Sequence, residues 1–220
     1  MNRTKIPWAD YTWNPITGCS RSSPGCDHCY AAALSKRFGW PWGRAVLHPG
    51  RLGEPAKVRK PSRVFVCSMA DLWHSTVEMA WQEAVYEAMR AAPWHTYIML
   101  TKRPQNMTDL PVPWPTPWWI GVTGENQEWM DLRWQRLTRS APAADFRFVS
   151  VEPMIGPVSI YRCLVKPDWV ICGPETGPGA RPCDPWWIAD LAHECSVMGV
   201  PFFDKRDPSG SEFTRREFPV

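Results

Sequence analysis

The chain has 220 residues, 44% hydrophobic and 13% aromatic, and its 25 lysines and arginines against 22 acidic residues leave a formal charge of +3. That composition excludes intrinsic disorder, and apolar runs far shorter than the ~20 residues of a membrane helix exclude a helical span. The charge alone is too small to argue for nucleic acid, and the start MNRTKIPWAD holds no apolar signal-peptide stretch.

Taken in chain order, a first short strand is expected near Trp13–Ile16. A glycine- and proline-rich loop follows, then a helix over Tyr30–Phe38 stopped by Gly39. From Arg44 to Arg63 the chain carries Arg44, Arg51, Lys57, Arg59, Lys60 and Arg63 against Glu54 alone. Within residues 41–63 this reads as an extended basic loop, either a phosphate-binding element beside the site or an ordinary solvated loop. A strand at Arg63–Cys67 leads to Ser75 and Glu78, which read as a capping box. The helix it opens has Trp81, Val85, Met89 and Ala92 on its apolar face.

Strands at Thr96–Leu100 and Trp118–Val122 flank a proline cluster at Pro111–Pro117, expected as a stiff loop. A helix near Gln127–Arg139 places Met130, Trp134 and Leu137 together, before strands at Phe146–Val151 and Trp169–Cys172. A second proline cluster, Pro174–Pro185, ends at Asp184, an N-cap followed by proline in the first helical turn. That helix carries the stripe Ile188, Leu191, Cys195 and Met198, and Gly199 stops it before a last strand at Val200–Phe203. The strands are brief, rich in Val, Ile and aromatics, and lack clean alternation, as strands buried on both faces do. Alternating strands and helices without repeat or linker predict one α/β domain over residues 1–220, built of βα units on a parallel sheet.

Polar and charged groups follow every strand: Ser68, Asp71 and His74; Thr101, Lys102 and Arg103; Thr123, Glu125 and Asn126; Glu152; Glu175 and Arg181; Asp204 and Lys205. In parallel α/β sheets this carboxyl rim is where sites are built. The competing reading is that each charge pairs with a neighbour on the rim.

The densest chemistry is Cys19-x6-Cys26-x2-Cys29, on one loop just before a helix. Three soft thiolates suit zinc or an iron–sulfur cluster. Structural zinc wants a fourth protein ligand, which would have to be His28, whereas a cubane held by three cysteines keeps one iron open. The other five, Cys67, Cys163, Cys172, Cys183 and Cys195, lack ligand spacing and read as packing. Trp40, Trp42, Trp114, Trp118 and Trp119 are open to two readings, base stacking or core cover.

A three-cysteine loop after the first strand, with His28 just before the last cysteine, resembles the radical S-adenosylmethionine (SAM) enzymes. More closely, WNPITGCSRSSPGCDHCYA, RLGEPAKVRKPSRVFVCSMADLWH, HTYIMLTKRP, GVTGENQ, RFVSVEPMIGPV and GPETGPGARP resemble a phage-associated family of unknown function assigned to the radical-SAM-like barrels. The resemblance implies a partial (β/α)6 TIM-like barrel of parallel strands, with its cluster loop at 17–30. It implies a [4Fe-4S] cluster on Cys19, Cys26 and Cys29, with SAM bound near His28, Ser68, Asp71, Glu125 and Glu152. Asp71 would receive the methionyl ammonium. Glu175 and Lys205 would be catalytic, and Lys102, Arg103 and Arg181 would meet a substrate, which the basic stretch suggests to be a nucleotide or nucleic acid. It further implies a monomer in the bacterial host's cytoplasm, reduced by a flavodoxin- or ferredoxin-like donor. Two departures stand out: the first cysteine gap is six residues rather than three, and Ser68-Met69-Ala70-Asp71 replaces the usual Gly-Gly-Glu. The alternative is a binding module without turnover, stabilised by zinc or an inert cluster.

Overall fold

Seven short apolar stretches line up as parallel strands in a computed structural model that describes residues 1–107, 117–141, 144, 146–205 and 215–219. The chain enters through β1 (Asn2–Arg3), β2 (Tyr11–Trp13), β3 (Ile16–Thr17), α1 (Tyr30–Phe38), β4 (Val46–Leu47) and α2 (Glu54–Lys57). It continues through β5 (Arg63–Val66), α3 (Met79–Arg90), β6 (Thr96–Thr101), β7 (Trp118–Thr123) and α4 (Gln127–Ser140). It closes with β8 (Phe146–Met154), β9 (Trp169–Pro174), α5 (Pro185–Met198) and β10 (Phe202–Asp204).

The main sheet runs β1-β2-β5-β6-β7-β8-β9-β10, parallel throughout except that β1 is antiparallel to β2. Spatial order follows chain order. Crossovers that always step the same way, right-handed by the general rule, put α3, α4 and α5 on one face and curl the sheet. The result is the expected α/β architecture, a partial TIM-like barrel.

Alternate residues serve two different cores. On the helix side Val66, Met99, Val122, Val151 and Cys172 pack with Val85, Met89, Met130, Leu137, Leu191 and Cys195. On the concave side Trp8, Phe65, Ile98, Trp119, Phe148, Trp169, Ile171 and Phe203 form a separate cluster. Trp169 lies at its centre, with its ring against those of Trp8, Trp119, Phe148, Phe203 and Phe218. Gly121 makes room for Phe148, because a Cβ there would fall 2.5 Å from the Phe148 ring. The inner wall therefore has an aromatic floor near the strands' amino ends. Above it the same face carries Gly121, Ser150 and Gly173, and then the rim. Both sheet edges are covered by short antiparallel pieces, β1 on β2 and Arg216 bridging Phe203 on β10.

Four local expectations are corrected. The first strand ends at Trp13 rather than Ile16, because Asn14 turns its side chain to Ser68 and Met69, and Pro15 has no N–H for the ladder. Cys67 lies just beyond β5, in the left-handed region at φ 57, with its N–H on the Trp13 carbonyl. The capping box does not form: Ser75 is taken up in the turns that coil through 71–77, and Glu78 is the N-cap without a side-chain bond. The basic stretch is no extended loop. It holds β4, paired with β3, a turn at Pro49–Arg51, and α2, and it runs down the barrel wall until Trp94 bonds the Val58 carbonyl beside the start of β6. The α5 reading holds in full, with Asp184 accepting from Trp186 N–H and Gly199 left-handed at φ 62. The proline cluster 111–117 and Trp114 fall almost wholly outside the described residues.

Candidate functional site

The loop bearing Cys19, Cys26 and Cys29 leaves β3 and lies over the carboxyl ends of the strands. Gly18 opens it at φ 87, with the Arg44 carbonyl where a Cβ would stand, 2.1 Å away, and donates its N–H to the Met69 carbonyl. A single 3₁₀ turn at Pro24–Cys26 follows, and Cys29 is the N-cap of α1.

The rim charges hold this loop in place. Asp71 is buried, and four donors saturate its carboxylate: Thr101 Oγ1 and Trp73 N–H on one oxygen, Lys102 N–H and Arg103 Nη1 on the other. Arg103, thus anchored, gives its other Nη to the Ser20 carbonyl at 2.8 Å and stands 3.6 Å from Cys19 Sγ. His74 adds a second tie. Its Nδ1 accepts from Thr76 N–H at 3.2 Å, which leaves Nε2–H for Ser20 Oγ at 2.7 Å. Burial and the Arg103 charge hold this imidazole below its usual pKa, so it is neutral at pH 7.

Beside it, Glu125 is fully buried between Lys102 (3.1 Å) and Arg133, and its Oε1 accepts Gly25 N–H at 3.2 Å. Burial raises its pKa, but Lys102 and Arg133 more than offset this and keep the carboxyl below the ordinary range. On the far side Glu175 is clasped by the Arg181 guanidinium and backbone N–H. Those hydrogen bonds hold the Glu175 carboxyl below the ordinary range. Arg181 also reaches the Pro24 carbonyl at 2.9 Å and Asp27 at 3.7 Å. The His28 ring lies against Gly179, where a Cβ would come within 3.0 Å of it.

The charges gather at the rim, and they gather in pairs. Asp71, Lys102, Arg103, Glu125, Glu175 and Arg181 are engaged in docking the cysteine loop. Asp71 has no lone pair left for an ammonium, so the role implied for it passes to anchoring Arg103. Ser68 trades hydrogen bonds with Asn14. Glu152 and Lys205 form a pair 2.6 Å long, more open to solvent than the Glu125 and Glu175 carboxylates. They stand above Gly173, where a Cβ would strike both. The basic residues separate: Arg44 stays at the cysteine loop, and Arg51 bonds the Asn14 carbonyl. Arg63 begins β5 at the opposite end of the sheet, where it pairs with Asp10.

Sequence reasoning missed Arg133 and Asn14. Arg133 had a signal, since it is a cation inside the Met130–Trp134–Leu137 stripe, where charge belongs only with a partner. Asn14 had none beyond its proline neighbour.

Cys19, Cys26 and Cys29 are half-buried and outside any disulfide. Burial pushes the Cys19 thiol up to about 11, so a bound metal would displace its proton. Among the described residues no three His, Cys, Asp or Glu stand gathered as metal ligands. The donor chemistry, three soft sulfurs on one loop, fits an iron–sulfur cluster; seating one would draw the three thiols together.

No protein of curated function matches the chain in sequence. Two solved structures of spore photoproduct lyase resemble its fold. One, a mutant with a tyrosine replaced by phenylalanine, has a TM-score of 0.53 at 13% identity; the other, complexed with dinucleoside spore photoproduct, has 0.49 at 14%. Each match covers 92% of this chain and 57% of the other. The likeness is one of fold. A family model described as protein of unknown function, DUF5131, matches residues 3–213, and the chain belongs to that family.

Proposed function

We propose that this protein is a radical SAM enzyme whose cluster is held by Cys19, Cys26 and Cys29. One observation carries the reading: three unpaired thiols share a loop placed across the carboxyl rim of a partial barrel of parallel strands. The fold shared with spore photoproduct lyase, itself a radical SAM enzyme, supports it. A [4Fe-4S] cluster held by Cys19, Cys26 and Cys29 would supply reductive cleavage of SAM and the radical chemistry that takes hydrogen from a substrate. The protein's own share is positional. Arg103 and His74 fix Ser20 beside Cys19; Glu125 and Arg181 fix Gly25 and Pro24 beside Cys26. The aromatic floor closes the barrel from below and keeps water out on that side. Glu152 and Lys205, above the small residues of the inner wall, are the pair free to exchange each other for SAM or substrate. A flavodoxin- or ferredoxin-like donor would act at the loop side.

Anaerobic reconstitution of the full chain with iron and sulfide tests this. About four irons and four sulfides per chain are expected, with SAM cleavage on reduction, lost in C19A, C26A and C29A and kept in C163A. One zinc per chain without sulfide, or a cluster that survives in C26A, would overturn it.

A further inference from the structure

The rim site leaves one group of residues unused, the segment that follows the cysteine loop. Phe38 and Trp40 are each more than half exposed, unusual for rings of this size standing together. Phe38 and Trp40 stack with centroids 5.0 Å apart and planes 27° from parallel, and the Arg37 guanidinium lies 5.4 Å from the Phe38 ring.

The backbone builds this arrangement. Gly39 ends α1 in the left-handed conformation at φ 66, and Trp40 N–H returns to the Ser35 carbonyl at 2.9 Å. In such a helix end the residue after the glycine usually covers the last turn and is buried against it. Here it carries the largest side chain available, folds back on Phe38, and still presents half its surface to water. The segment then runs straight to the site: Gly43 N–H bonds the Cys19 carbonyl at 2.8 Å, and the Arg44 carbonyl lies against Gly18.

Charge points the same way. No acidic residue occurs between Asp27 and Glu54, while Lys36, Arg37, Arg44 and Arg51 do. Of these, Lys36, Arg37 and Arg44 are exposed. Exposed flat rings flanked by cations, in a stretch of chain that holds no acidic residue, are what unpaired bases and their phosphates require. A duplex hides its base faces and offers only phosphates.

We propose that Phe38 and Trp40 form a stacking platform for unpaired bases of a single-stranded nucleic acid, with Lys36, Arg37 and Arg44 on its phosphates, at the mouth of the cysteine-loop site. This deepens the proposed function by naming its substrate class, and its test is independent of turnover. Fluorescence anisotropy with a short fluorescein-labelled oligodeoxythymidine, on the full chain with and without reconstitution, should show binding. Affinity should fall with salt, and the matching duplex should bind at least tenfold more weakly. Oligouridine run alongside separates RNA from DNA. F38A/W40A should lose about tenfold or more in affinity while its thermal melt is unchanged, since both rings are half in water. F38Y/W40F, which keeps two flat rings, should restore most of the binding. K36Q/R37Q/R44Q should instead flatten the salt dependence. Equal binding by wild type and F38A/W40A, duplex binding as tight as single strand, or no binding at all would overturn the proposal. Iron and sulfide content of the same samples tells the two proposals apart. Oligonucleotide binding without a cluster removes only the enzyme reading, and a cluster without oligonucleotide binding removes only the platform.

Discussion

Glu125 has no exposed surface and yet is charged, and the reason lies in its neighbours. Lys102, Arg133 and the Gly25 N–H each place a donor on its two oxygens. Such a group is costly to disturb, because removing the anion leaves Arg133 buried without its partner. E125Q should destabilise the fold by about 3–5 kcal/mol in urea unfolding at pH 7. The pH dependence has a definite sign. The folded-state pKa lies below the unfolded one, so this stabilisation is complete above the ordinary carboxylate range and is lost as pH falls through the folded value. Wild-type stability should drop between neutral pH and strong acid, and E125Q should show a shallower drop. An equal slope in both proteins would show that Glu125 is not the group responsible. Glu175, lowered by its hydrogen bonds to Arg181, adds to the same acid-side loss.

At the scale of single elements, the segments that obeyed their sequence signals are those whose signals are satisfied locally. α5 begins at Asp184 because its carboxylate takes Trp186 N–H at 2.9 Å, and it ends at Gly199 because that residue turns left-handed at no steric cost. D184A should therefore cost about 1 kcal/mol in urea unfolding, without altering iron content on reconstitution. The Ser75–Glu78 pattern failed for the converse reason. Asp71 and His74 wind the chain through successive turns before the helix can start, and the cap position passes to Glu78. Gly18 shows an element fixed by close approach and by backbone conformation together: with φ at 87 and the Arg44 carbonyl 2.1 Å from the position of a Cβ, G18A cannot keep the loop where it is. A reconstituted G18A should carry much less iron than wild type at equal protein concentration, while D184A should not.

At the scale of the whole molecule, an open barrel must close its concave side without a full ring of strands. Here aromatic bulk does so. Of the 15 tryptophans, Trp8, Trp119 and Trp169 build the floor. Phe218, from beyond the last strand, packs on Trp169 and Phe203 and carries Arg63 from β5 over its ring at 4.1 Å, which ties the two flanks together. W169A removes the residue at the centre of this cluster and should cost about 3–5 kcal/mol in chemical unfolding. F218A, at the less buried end, should cost clearly less. A W169A protein as stable as wild type would mean that the floor is not what holds the sheet in its curve. The described helices are not long and apolar enough to cross a membrane, in keeping with a fold whose apolar surface goes into these two cores.

What the sequence determined by itself was the order of strands and helices, the parallel sheet, the gathering of polar residues at one end, and the cysteine loop as the densest chemistry. Each is written in local pattern: period, caps, and the residue that follows a strand. Tertiary structure decided which charge meets which. The sequence could place Asp71, Arg103 and Cys19 on one rim, but not show that Asp71 would be saturated by β6 and direct its charge to Arg103. Nor could it separate Arg44, at the loop, from Arg63, at the other end of the sheet, although both lie in one basic stretch. It could not sort tryptophans that floor the barrel from the one that stacks in solvent. Pairing and burial depend on contacts between residues dozens of positions apart, and local pattern carries no record of those distances.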